Sequence, residues 1–193
     1  VFVDIDRETF NIDIKSAEKA ISKKTKAIIF IDYGGNASNI EEIIKLGKKY
    51  KLPIIQDAAQ SLGGKYKGKK IGANADISTM SFHMAKIITT IEGGMIFTNK
   101  KKYYEEVLIR RNIGEPKNKK YKHTHLGTNA RMTELNAGIG ISQFLQLEKF
   151  INKRNIIAKR YDYLFTKYKL NIKILKRKNS KFRNSYFFYP ILI

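Results

Sequence analysis

The sequence predicts an α/β fold built on a mostly parallel sheet with flanking helices. Three observations carry that expectation. Ala27–Ile31 and Leu52–Ile55 are short, nearly continuous apolar runs, the kind that a parallel strand buried on both faces shows. A stretch with helical spacing lies between them, which makes a strand–helix–strand unit with an expected right-handed crossover. Strand-like and helix-like segments then alternate along the rest of the chain.

The elements follow from their residues. Asp32, Gly34, Gly35 and Asn36 break the first strand with turn chemistry. Ser38 with Glu41 three positions later has the form of a capping box, and Ile40, Ile43, Ile44 and Leu46 follow at near-helical spacing, so a helix is expected over 38–50. The next strand, Leu52–Ile55, ends at Gln56-Asp57. Gly63–Lys70 is a polar, glycine-rich excursion. Ile77–Phe82 and Met95–Thr98 read as two more strands, joined through His83–Gly94 with Gly93-Gly94 as a turn. Tyr103, Tyr104, Val107 and Leu108 recur as a helix over 100–111 would place them, and 112–130 is polar and irregular. A long helical stretch begins near Thr133, carries Leu135, Ile139, Phe144, Leu147 and Ile151, and continues after a break to about Phe165. Ile172–Leu175 and Tyr186–Ile193 read as strands of a second, smaller unit.

Composition excludes some function classes and leaves one question open. With no cysteine in 193 residues, disulfides, thiolate metal sites and thiol catalysis are ruled out. No apolar run reaches the roughly 18 residues that cross a bilayer, and Asp4, Asp6 and Arg7 follow the first apolar residues too closely for a secretory signal. A cytoplasmic location is the default expectation. Val1 in place of Met, and the apolar run Pro190–Ile193 at the other end, lead to the expectation that the chain is part of a longer protein. Lys and Arg number 38 against 17 Asp and Glu, a net charge of +21. Such a balance suits a polyanionic partner. It also suits a lysine-rich proteome, and the spread of lysines over Lys48–Lys49, Lys65–Lys70, Lys100–Lys102, Lys117–Lys122 and Lys173–Lys181 favours that second reading. An anionic small substrate would be drawn by the same field.

Two residues stand where chemistry is expected. In open α/β sheets ligands sit beyond the carboxyl ends of the strands, and Asp57 closes the second strand. A carboxylate there can pair with a cationic ring nitrogen; it can equally cap a following turn or helix. Lys86 follows the strand that ends at Phe82, and Ala85 and Ile87-Ile88 flank it, whereas most other lysines lie in charge runs. A lysine in such a setting can form an imine with a carbonyl; in so lysine-rich a chain it can also be a solvated surface group. Rival sites are weak. The glycine pairs at 34–35, 63–64 and 93–94 form no phosphate-loop motif, and His83, His123 and His125 have no carboxylate cluster at ligand spacing, so no metal is expected.

Four segments together resemble the DegT/StrS family of sugar aminotransferases, which use pyridoxal 5'-phosphate (PLP) on the fold type I scaffold. They are Asp57-Ala58-Ala59-Gln60, Ser81-Phe82-His83-Met84-Ala85-Lys86, Glu92-Gly93-Gly94-Met95 and Gly127-Thr128-Asn129-Ala130-Arg131-Met132-Thr133-Glu134. The resemblance runs from about Val3 to Tyr189. It implies that residues 1–150 are the later part of a PLP-binding large domain and 151–193 the beginning of a small C-terminal domain. By the same resemblance Lys86 forms the imine with PLP and shuttles protons, Asp57 holds the ring nitrogen, Gln60 meets the phenolic oxygen and Ser81 the phosphate. Asn129 would reach the phosphate of a neighbouring subunit's cofactor, which implies a homodimer with shared sites, and His83 and Arg131 would face substrate. The implied reaction moves an amino group, from glutamate, onto a keto sugar linked to a nucleotide. A related branch that deoxygenates sugars has His where this chain keeps Lys86. The rival reading is an inactive homologue that regulates or binds nucleic acid, and the retained Lys86, Asp57 and Gln60 speak against it. The chain departs from the family pattern at Ile87 (commonly Asn), Ile91 (Gly), Ala37 (Pro) and Asn184 (His).

Overall fold

The computed structural model describes residues 1–175 and 182–193; residues 176–181 of the lysine-rich run Lys173–Lys181 lie outside the described residues. Helix α1 (Ile14–Ala20) opens on Asp13, whose carboxylate accepts the Ser16 N–H at 2.6 Å. There follow β1 (Ile28–Ile31), a 3-10 turn (Tyr33–Gly35), α2 (Ile40–Tyr50) and β2 (Ile54–Asp57). A hairpin of β3 (Lys65–Tyr66) and β4 (Lys69–Lys70) precedes β5 (Ile77–Ser81) and β6 (Gly94–Phe97). Helices α3 (Lys101–Arg111), α4 (Glu134–Phe144) and α5 (Leu147–Lys167) complete the larger part, and β7 (Lys173–Ile174), β8 (Phe182–Arg183) and β9 (Ile191–Leu192) end the chain.

The central sheet has the order β1-β2-β5-β6, with β1, β2 and β5 parallel and β6 antiparallel to β5. The mostly parallel α/β expectation therefore holds. Alternation along the strands separates the two faces. Ile28, Phe30, Ile54 and Met80 face a core with Ile40, Ile43 and Leu46 of α2 and with Ile87, Ile88, Leu147 and Ile151. On the other face Ile29 and Ile31 stay 63% and 47% exposed, and their register partners across the sheet are Ile55 and Ile77, then Asp57 and Thr79. That face is apolar toward the strand starts and polar toward the carboxyl ends.

α2 lies close on β2 because Gly47 leaves room. A Cβ built there would come 2.5 Å from Ile54 Cδ1 and 2.9 Å from the Leu52 carbonyl oxygen. Glu41 and Glu42 in the first turn and Lys48 and Lys49 in the last complement the helix dipole. The expected capping box does not form. The helix starts at Ile40 with Asn39 as N-cap. Ser38 is drawn to the end of β1 instead: its N–H donates to Asp32 at 2.8 Å and its hydroxyl to the Ile31 carbonyl at 3.2 Å.

Other departures from the sequence reading have similar local causes. The glycine-rich excursion holds a two-residue hairpin, with Lys67 and Gly68 both at positive φ (47° and 78°), as a primed turn requires. β8, not foreseen, pairs antiparallel with β3. Of the expected strand Tyr186–Ile193 only Ile191–Leu192 pairs, with β7, because Tyr186 at φ 50° turns the chain away. α4 and α3 form as expected, but neither has a buried residue, and Leu135 and Phe144 stand exposed. Among the described residues no helix is long and apolar enough to cross a membrane.

Gly47→Ala tests how tightly α2 sits on the sheet. Alanine is better than glycine in a helix by about 0.8–1.0 kcal/mol, so a loose contact would give a stabilised protein. The close approach to Ile54 instead leads us to expect a net loss of about 1–2 kcal/mol in urea unfolding, the overpacking cost exceeding the propensity gain.

Candidate active site

The register of β2 against β5 builds the site. Asp57 pairs with Thr79, so the carboxyl ends of two parallel neighbours lie side by side, with Asp57 closing one strand and Ser81 closing the other. Thr79 and Ser81 share the face of Asp57, by alternation from that register. One carboxylate oxygen of Asp57 accepts the Ala59 N–H at 3.0 Å, a turn contact of the capping kind. No helix follows it, and Asp57 makes none of the ion pairs found among the described residues.

Lys86 stands in the loop that joins β5 to β6. The loop is closed on Phe82: the Phe82 N–H donates to the Gly93 carbonyl at 2.8 Å, and the Thr90 N–H donates to the Phe82 carbonyl at 2.9 Å. Ile87 and Ile88, just after the lysine, are buried in the core and pin the loop from below. The Lys86 N–H donates to the His83 carbonyl at 2.9 Å, and its Nζ lies 4.7 Å from the Phe187 ring centroid. Ser81 Oγ accepts the His83 N–H at 3.3 Å, and the His83 ring accepts the Ala85 N–H at Nδ1 while its Nε2 lies 3.6 Å from Glu92.

Gln60 sits in the turn after β2. Its side-chain oxygen accepts the Gly34 N–H at 2.7 Å, so the group it can still offer is the NH2 donor. Its backbone carbonyl accepts the Ser185 hydroxyl at 3.1 Å. The Ser185 N–H donates to Gly35 and the Phe188 N–H to Gly34, both at 3.2 Å, and Arg154 donates to the Tyr186 carbonyl at 2.9 Å. Gly35 leaves no room for a side chain here, since a Cβ would meet the Ser185 hydroxyl at 2.3 Å. These bonds hold the last segment of the chain against the turns after β1 and β2, and with it the ring of Phe187 beside Lys86.

A second aspartate at a strand end shows what a structural one looks like. Asp32, just after β1, is fully buried. It accepts hydrogen bonds from the Ser38 N–H (2.8 Å), Gln56 Nε2 (2.7 Å) and the Ser61 hydroxyl (3.1 Å), and Gln56 in turn accepts from Ser78 at 3.0 Å. Burial pushes its carboxyl above the usual carboxylate range, against the pull of those donors. Asp32 ties β1, β2, β5 and the turn that holds Gln60 and Ser61 into one unit.

The predicted site residues thus fall into two groups. Asp57, Gln60, Ser81, His83 and Lys86 all lie at the carboxyl edge of β2 and β5. Asn129 and Arg131 lie elsewhere, exposed, on a segment that bridges Asn112 and hydrogen-bonds to it through Arg131. Sequence reasoning missed Asp32, Asn136 and Phe187. Asp32 was within reach, since it closes an apolar strand just as Asp57 does. For Phe187 no sequence signal marks the ring that meets the lysine. Among the described residues no group of three or more His, Asp or Glu is placed to hold a metal.

The family model of the DegT/DnrJ/EryC1/StrS aminotransferases matches residues 1–193. A GDP-perosamine synthase of Escherichia coli O157:H7 is 41% identical over 161 residues, covering 83% of this chain and 44% of that protein. A UDP-4-amino-4,6-dideoxy-N-acetyl-beta-L-altrosamine transaminase of Campylobacter jejuni subsp. jejuni serotype O:23/36 (strain 81-176) is 39% identical over 199 residues, covering 100% of this chain and 52% of that protein. The PLP form of Spr1654 from Streptococcus pneumoniae, described as a putative sugar aminotransferase, superimposes with a TM-score of 0.88 at 28% identity, over 98% of this chain and 53% of that one. The chain spans about half the length of the curated relatives it matches.

The Asp32 network makes a stability prediction with a sign. Its raised carboxyl value in the folded state means a contribution fully present below the ordinary value of about 3.9 and lost as pH rises through the raised one. Asp32→Asn keeps an acceptor for Ser38 and can be met by a flipped Gln56, so its stability should not show that fall. Asp32→Ala leaves the Ser38 N–H and Gln56 Nε2 buried without acceptors, at about 1–3 kcal/mol each. Chemical unfolding across pH should rank Ala well below Asn, and the gap between Asn and wild type should move in favour of Asn as pH rises.

Proposed function

The chain belongs to the DegT/DnrJ/EryC1/StrS aminotransferase family, and from that membership we propose that it carries the lysine and the ring-nitrogen carboxylate of a PLP-dependent sugar aminotransferase. The observation that carries this reading is the parallel pairing of β2 with β5, which sets Asp57 beside the loop of Lys86. The donor set suits the cofactor. Asp57 offers a carboxylate to a pyridinium nitrogen, Gln60 an NH2 donor to a phenolic oxygen, and Ser81 a hydroxyl to a phosphate. When bound, PLP supplies an electron sink that lets a carbon beside nitrogen lose its proton.

The chain's own residues do the rest. Lys86 Nζ would hold the cofactor through its aldehyde carbon, with loss of water, and as a free amine would move a proton from the α-carbon of the amino donor and to the sugar carbon that receives nitrogen. Asp57 keeps the ring nitrogen protonated. We assign glutamate as donor, which leaves as its 2-oxo acid, and a nucleotide-linked keto sugar as acceptor, whose C=O becomes CH–NH2. The substrates of the named relatives support a sugar acceptor, and the charge of +21 suits a diphosphate linkage. Asn129 and Arg131, apart from the Lys86 edge, are assigned to the site of a second subunit in a homodimer. Residues 1–150 would belong to the large domain and 151–193 to the small one, with α5 running through the junction.

The test is transfer itself. Full-length protein supplied with PLP, glutamate and a nucleotide-linked keto sugar should yield an amino sugar detectable by mass spectrometry. Lys86→Ala should lose about 10²-fold or more, as removal of a general acid–base group does. Asp57→Ala should retain some cofactor but lose most turnover. Normal turnover by Lys86→Ala would overturn the reading, and an inert glutamate with another active donor would correct the donor alone.

A further inference from the structure

The loop that carries Lys86 contains a conformational oddity. Ile91 sits at φ 69°, in the left-handed region that β-branched side chains rarely adopt. Its side chain is exposed, so no burial of apolar surface offsets the strain. Strain of this kind persists where surrounding contacts over-determine it.

Those contacts come from outside the loop. Asn136, in the first turn of α4, donates through Nδ2 to the Thr90 carbonyl at 2.5 Å and to the Glu92 carbonyl at 3.0 Å. These are the carbonyls on either side of Ile91. Inside the loop the Thr90 hydroxyl donates to the Glu92 carbonyl at 2.8 Å, and the Ile91 N–H to the Thr89 hydroxyl at 2.8 Å. The fit is close: a Cβ on Gly93 would come 2.2 Å from the Thr90 hydroxyl, and a Cβ on Gly140 of α4 would come 2.7 Å from the Thr90 methyl. Asn136 is itself set by the cap of α4, where its N–H donates to the Thr133 hydroxyl at 3.2 Å.

We propose that Asn136 is a positioning residue for Lys86, holding the left-handed turn at Ile91 so that the lysine loop stays closed on Phe82. The inference rests on the reading of Lys86 given above and adds a residue to it. It also gives a physical link from the Asn129–Arg131 segment, which leads directly into α4, to the lysine loop.

The test does not need the cofactor. Hydrogen exchange of the full-length protein without PLP is read on peptides covering 82–93 and on peptides of β1 and β2. In Asn136→Ala the loop peptides should exchange about tenfold faster or more, as the loss of both Nδ2 hydrogen bonds allows, with β1 and β2 unchanged. Ile91→Gly, which removes the strain, should return the loop of the double variant to within about twofold of wild type. Gly140→Ala should disturb the same peptides without touching Asn136. Unchanged loop exchange in Asn136→Ala, or faster exchange throughout the protein that Ile91→Gly does not rescue, overturns the proposal. If Asn136→Ala does not accumulate as folded protein, its recovery by Ile91→Gly supports the proposal and failure of the double variant overturns it. A wrong assignment of Lys86 is seen separately, as cofactor fixed to another lysine.

Discussion

The in-register pairing of β2 with β5 is the interaction on which the rest of this structure depends. It joins segments that lie far apart in sequence and brings their carboxyl ends together. A slip of one residue would turn Asp57 to the core face and put Gln56, now hydrogen-bonded to Asp32, on the open face. The Asp32 network guards against that slip, since Gln56 and Ser78, themselves register partners, are both tied into it. A buried polar network thus fixes the register that places an unburied polar set.

Much of this was legible in the sequence because the relevant signals are local. Apolar runs mark β1 and β2, and the spacing of Ile40, Ile43 and Leu46 marks the buried face of α2. The candidate site residues were picked out by family motifs more than by physics, since Asp57 as a turn cap and Lys86 as a surface group read equally well from their neighbours alone. What stayed hidden depends on distant partners. The two-residue strands β3, β4 and β8 are rich in lysine and arginine and have no apolar alternation to show. Ser38 had the right neighbour for a capping box, but its hydroxyl went to Ile31. Leu135 and Phe144 have core-like side chains that stand largely exposed.

Exposed apolar groups lie on the open sheet face and along its β6 edge. Ile29 and Ile31 on the open sheet face, and Met95, Ile96 and Phe97 along β6, are all substantially exposed. Apolar surface of this kind is costly to leave in water. The chain spans about half the length of the curated relatives it matches. The tolerance of Ile91 in a left-handed turn fits the same view: the lysine loop is held from α4, so local strain is met by contacts outside the loop.

The central claim is that one ligand meets both Asp57 and Lys86. Borohydride reduction of the full-length protein with PLP, followed by peptide mapping, tests it most directly. The account predicts a reduced adduct on Lys86, in the peptide that contains Ser81-Phe82-His83, and none on the other lysines. An adduct on a different lysine, with Lys86 unmodified, would contradict it.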